Sequence, residues 1–148
     1  MKLQFLLSIL LSLVMTDFSH SQPADETILR AIEEGNKLIS ALEEFNNENG
    51  NYPEELEALV PSFLSDIPET GLRADDGFTY SRVPDELASD YIYGYRLVFF
   101  VSNTSFLGDR TAEIYLYQPS KEYPSNEAEK TIEIIDGWAH QEINRSYN

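Results

Sequence analysis

The chain has 148 residues, 26 acids against 10 lysines and arginines for a net charge of −16, and no cysteine. That length supports one domain with a real core and leaves little room for a second. The lack of cysteine excludes disulfides, a thiolate zinc site and a lipid-modified cysteine, while the acidity disfavours nucleic acid and anionic lipid and suits solubility, cations or a basic partner.

Met1 and Lys2 precede an apolar run, Leu3–Met15, broken only by Gln4, Ser8 and Ser12. Its 13 residues fall short of the roughly 20 needed to span a bilayer. Ser19 and Ser21 have the spacing of a signal-peptidase site, with Pro23 beyond, so residues 1–21 read as a cleaved export signal and 22–148 as one mature domain. The alternative is an uncleaved anchor or a buried first helix. Cleavage removes Lys2 and Asp17, one charge of each sign, and leaves the net charge at −16.

Residues 25–49 place Ile28, Ala31, Ile32, Leu38, Ile39, Leu42 and Phe45 at intervals of three and four, which predicts an amphipathic helix. Asp25 and Glu26 suit its positive end and Gly50 a left-handed cap. Gly35 lies on or near the apolar stripe, where glycine reads first as merely tolerated, at about 1 kcal/mol against alanine, and otherwise as room for another backbone to approach closely. The stretch GNYPEELEALVPSFLSDIP, residues 50–68, follows. Pro53 suits the first turn of a short helix bearing Leu56, Leu59 and Val60; Pro61 ends it, Phe63 and Leu64 turn to the core, and Pro68 stiffens the exit. The stretch reads as a corner folded back over the helix end.

From residue 77 the period becomes two. Strands are predicted at 78–83, 91–101, 111–119 and 131–135, and 136–143 opens on an Asp-Gly turn signal. In 91–101, Tyr91, Tyr93, Tyr95, Leu97, Phe99 and Val101 share the face better suited to cover the helix; Gly94 marks a bulge or close contact. In the next strand Ala112, Ile114 and Leu116 alternate with Glu113, Tyr115 and Tyr117. The expected fold class is α+β: a long N-terminal helix packed on a small antiparallel sheet of three to four strands, frayed from Asn144.

Residues 35–68 carry a helix leading into Gly50, Tyr52 and Pro53, then Leu56, Leu59, Val60, Pro61 and Pro68. This segment resembles bacterial pseudopilin-like proteins, including the major pseudopilin of type II secretion, and the similarity extends over most of residues 30–140. The resemblance implies a pilin-like domain. The chain departs from the family where filament assembly is encoded: Phe5 follows Gln4 rather than glycine, and the fifth residue counted from Phe5 is Ile9 rather than glutamate. The family's aspartate- and glycine-rich calcium loop has no counterpart either. The fold is therefore carried over, and filament assembly and calcium are not.

With the signal removed, His140 is the sole histidine, which leaves no histidine cluster for a metal and no partner for a serine nucleophile. Asp75, Asp76, Asp85, Glu86 and Asp90 flank the first strand without the spacing of an EF-hand, and read as solvated loop acids. Two Asn-x-Ser/Thr sequons, at Asn103 and Asn144, matter only in a glycosylating pathway.

The candidate interaction surface is Tyr91, Tyr93, Tyr95, Tyr115, Tyr117 and Tyr123, rings that suit core and cross-strand packing first and a glycan- or peptide-binding face as the alternative. The expectation is a non-enzymatic, periplasmic or secreted protein acting on another envelope protein. It has no cofactor, no nucleic-acid partner and no stable membrane insertion after cleavage. A binding module on the tyrosines is the alternative, and a carboxylate hydrolase, recognisable by two acids in one cleft, is a third reading.

Overall fold

The computed structural model describes residues 26–72, 77–89, 92–101, 111–123 and 129–144. The predicted export signal, Asp75, Asp76, Asp90, Tyr91 and Asn103 lie outside these residues. Helix α1 spans Glu26–Asn49 and buries Ile28, Ala31, Ile32, Gly35, Leu38, Ala41 and Leu42; of the stripe expected from the spacing, Ile39 and Phe45 are only partly buried, and Ala41 is added. Each fully buried Ile or Leu contributes about 1.5–3 kcal/mol of transfer free energy. Gly50 stops the helix with φ +77°, and its N–H closes on the Asn46 carbonyl at 2.8 Å.

The elbow holds only a 3-10 turn, Leu56–Leu59, starting later than Pro53. Glu55 before it and Val60 after it are both extended, the latter because Pro61 biases its predecessor away from helical angles. Leu56 and Leu59 are buried, and Phe63, Leu64, Ile67 and Leu72 pack on the same core. Phe63 meets Phe45 with ring centres 5.4 Å apart.

The sheet has five strands, where three to four were expected: β1 Thr79–Arg82, β2 Tyr95–Val101, β3 Thr111–Tyr117, β4 Glu129–Ile135 and β5 Trp138–Asn144. The Asp-Gly signal accounts for the fifth. Asp136 (φ 49°) and Gly137 (φ 83°) are both left-handed and close a two-residue hairpin in which Ile135 faces Trp138. All neighbours are antiparallel, in the order β1-β2-β3-β5-β4, so the returning strand β5 inserts beside β3 and leaves β4 at the edge. Strand β2 starts at Tyr95 instead of residue 91, because Gly94 takes φ +74° and breaks the extended run.

Register assigns the two faces. Tyr95, Leu97 and Phe99 point toward the helix and are fully buried. Tyr117, Tyr115, Trp138 and Ile135 share that side by pairing. The opposite face carries Val98, Phe100, Leu116, Ile114, Ala139 and Ile134. These residues stand outside the core cluster formed with the helix.

Candidate functional site

The tyrosines do not form an exposed face. Tyr95, Tyr115 and Tyr117 are buried beneath α1, Tyr123 is partly buried, and of the described members only Tyr93, at 43 % exposure, opens to solvent. Alternation assigns Tyr95 to the face that covers the helix, strand pairing adds Tyr115 and Tyr117 to it, and the helix's apolar stripe keeps that face dry.

Burying a phenol requires an acceptor, and Glu43 supplies it from the border of the helix stripe. Its Oε1 accepts from Tyr95 at 3.2 Å and its two oxygens from Tyr52 at 3.2 and 3.0 Å. Burial, reinforced by the Glu43 charge, pushes both phenols well above their ordinary value. Tyr52 and Tyr95 meet edge to face at 4.8 Å, and Gly94 lies against the Tyr52 ring; a Cβ there would come within 2.8 Å of Cε2. Tyr80 donates to the Pro53 carbonyl at 2.6 Å, and burial pushes its pKa up to about 12 against the lowering effect of Arg82. Tyr123 donates to the Gly137 carbonyl, tying the loop after β3 to the hairpin turn.

At the other end of the same face, Phe99, Tyr115 and His140 stack across three strands, with ring centres 4.9 and 4.6 Å apart and planes within 6° and 8°. Glu113 approaches His140 Nε2 at 3.5 Å and Glu133 approaches Nδ1 at 3.4 Å, yet neither ring nitrogen has a hydrogen-bond partner. The carboxylates address opposite edges of the ring, so the three groups do not converge on one point. Among the described residues no group of three metal-capable side chains does. Burial, followed by the charges of Glu133 and Glu113, pushes Tyr115 up to about 12.

Three of the hollows on the described surface bear on these residues. One of about 390 Å³ lies in the elbow, walled by Phe45, Tyr52, Pro53 and Ala58 with Glu54 and Glu55 at its mouth. A second, of about 260 Å³, shares Glu54 and adds Arg82, Pro84, Asp85 and Glu86. The third, about 440 Å³, is polar and lies between α1 and the segment after the elbow, with Arg30, Glu34, Asp66 and Glu69 on its walls. Asp85 and Glu86 are thus exposed rim acids. The elbow hollow was missed from sequence; its signal was the Tyr-Pro pair followed by acids on a turn too short to bury them.

Among the described residues no helix is long and apolar enough to cross a membrane. Comparison with family models, with curated proteins and with solved structures yields no match.

Proposed function

We propose that this is an exported, non-enzymatic envelope protein with a pseudopilin-like, pilin-like domain that works through protein–protein contacts. The order of helix, proline-rich elbow and antiparallel sheet supports the kinship. The observation that carries the contact reading is the second sheet face. There Ile114 and Ala139 are buried, Val98, Phe100 and Leu116 half-buried, and Ile134 at the margin is 58 % exposed. Apolar side chains gathered on one face in this way mark contact surfaces. The burial of Tyr95, Tyr115 and Tyr117 weighs against a glycan- or peptide-binding face made of those rings.

The test is site-specific photo-crosslinking in the native host, with the reactive side chain at Ile134 or, as a control, at exposed Lys37. A discrete adduct from position 134 alone, in the envelope fraction and on a chain whose mass starts near Gln22, supports the proposal. A chain with intact Met1 in the cytoplasm, or equal adducts from both positions, overturns it.

A further inference from the structure

We infer that the elbow hollow is a docking site for a short cationic protein segment that inserts one apolar side chain between Phe45, Tyr52, Pro53 and Ala58. The volume, about 390 Å³, is at the small end of the roughly 300–1,000 Å³ typical of ligand sites, and so fits an anchor residue rather than an extended ligand. The walls are apolar side chains and a proline ring, so the inserted group must be apolar to gain by leaving water.

The mouth sets the charge of what flanks the anchor. Glu54 and Glu55 line it, and Asp85 and Glu86 continue the acidic rim across the adjoining hollow. The cation on that rim, Arg82, is already paired with Glu54. Three exposed carboxylates are left without a counter-charge in either hollow, on a chain of net charge −16. A segment with lysine or arginine beside its anchor complements this rim and is drawn to it from a distance.

The hollow is also held in shape from three directions. Glu43 of α1 fixes the Tyr52 hydroxyl, Tyr80 of β1 holds the Pro53 carbonyl, and Arg82 holds Glu54. Groups fixed before a ligand arrives lose little conformational freedom on binding, which is the usual advantage of preorganisation. This function explains why the corner between helix and sheet is cross-linked at successive residues, 52, 53 and 54. The inference deepens the protein-contact reading and rests on it for its biological sense. The two can fail separately, since the purified chain can ignore a peptide while position 134 still crosslinks.

The experiment is fluorescence anisotropy of the purified protein with three labelled pentapeptides: Lys-Lys-Phe-Lys-Lys, Lys-Lys-Gly-Lys-Lys and Glu-Glu-Phe-Glu-Glu. The first is expected to bind at least about tenfold tighter than the second, the ratio that partial burial of one phenylalanine gives, to weaken with salt, and to outcompete the third. Ala58→Trp, which fills the hollow from an exposed position, should erase the advantage of phenylalanine over glycine; Ile134→Ser should leave it intact. Amide chemical-shift changes with the Phe peptide should centre on Asn51–Ala58. Equal binding of the Phe and Gly peptides, an unchanged ratio in Ala58→Trp, or shift changes spread over the acidic surface would each overturn the site in favour of non-specific counter-ion attraction.

Discussion

Gly35→Ala tests the packing at the centre of the fold, because helix propensity and contact geometry give opposite signs. Alanine in a helix interior gains about 1 kcal/mol over glycine, so a solvent-exposed glycine would be stabilised by the change. At Gly35 the new methyl would overlap Cζ2 of Trp138, reach within 2.8 Å of its Cη2 and lie 3.1 Å from Phe78 Cε1. The indole has nowhere to retreat. It is fully buried, its Nε1–H donates to Asn36 Oδ1 at 3.0 Å, and Phe99 and Tyr117 flank it at 5.4 and 5.6 Å. Overpacking of a held core costs about 1–3 kcal/mol, and an overlap of this depth belongs at the upper end. About 3 kcal/mol less the propensity gain leaves a net loss of about 2 kcal/mol, or a Tm lower by roughly 6–10 °C for a domain of this size. Urea unfolding followed by far-UV circular dichroism measures it. A double-mutant cycle with Trp138→Phe, which removes the overlapping benzo ring, should recover at least about 1 kcal/mol of coupling. A Gly35→Ala protein as stable as the parent, or no coupling to position 138, would refute the packing.

Asn36→Ala should cost about 1–3 kcal/mol, because it leaves the buried Trp138 N–H without an acceptor and frees Asp136 from its donor; urea unfolding checks it, and a loss under about 0.5 kcal/mol would contradict the role. His140→Phe should change stability by less than about 1 kcal/mol, since it keeps the stack on Tyr115 and sacrifices no hydrogen bond, whereas His140→Ala should cost clearly more; equal losses in the two variants would show that the nitrogens, not the ring, matter. In alkali the sign follows from the phenols. Tyr80, Tyr115 and Tyr123 are raised to about 12, above the roughly 10 of an unfolded chain. Their contribution is therefore complete below about pH 10 and is lost as pH rises through about 12, at no more than about 1.4 kcal/mol per pH unit for each fully protected ring and less for the half-exposed ones. Phenolate absorbance should then rise together with the loss of circular dichroism, and independent titration at about 10 with the fold intact would contradict it.

How much of this could be read in the sequence depends on the range of the interaction. Most of the helix stripe, the Gly50 stop, the Tyr95, Leu97 and Phe99 part of the inward set, and the Asp136-Gly137 turn are written in local spacing and stand in the structure, whereas Tyr93 of that set is exposed. Strand order is not local. Nothing in residues 111–143 says that β5 rather than β4 lies beside β3, because the choice depends on Trp138 reaching Gly35 and Asn36, about a hundred residues earlier. Gly35 reads first as a tolerated glycine, but it makes room for a close neighbour, and that neighbour is an indole rather than a backbone. Packing of the tyrosines against the core is legible in the sequence and holds for Tyr95, Tyr115 and Tyr117; the acceptor that admits the phenols, Glu43, is not. The elbow was read as two rigid turns around a short helix; proline on both sides allowed only Leu56–Leu59 to coil.

The elbow's length follows from coverage. A helix with its side chains is about 10–12 Å across, while five strands at about 4.8 Å spacing make a sheet roughly twice as wide. One helix cannot dry such a face, and the segment from Leu56 to Leu72 adds Leu56, Leu59, Phe63, Leu64, Ile67 and Leu72 to the same cluster. Among the described elements the second face has no comparable cover, yet it too carries apolar residues, with Ile114 and Ala139 buried and Ile134 exposed. Addition of a strand at the β4 edge is discouraged by the irregular register between Thr131 and Glu133 and by the charges of Lys130 and Glu133. Contact is therefore expected through the face rather than along the edge. Self-association there would bring together two chains of charge −16, a repulsion that favours a neutral or basic partner over a second copy.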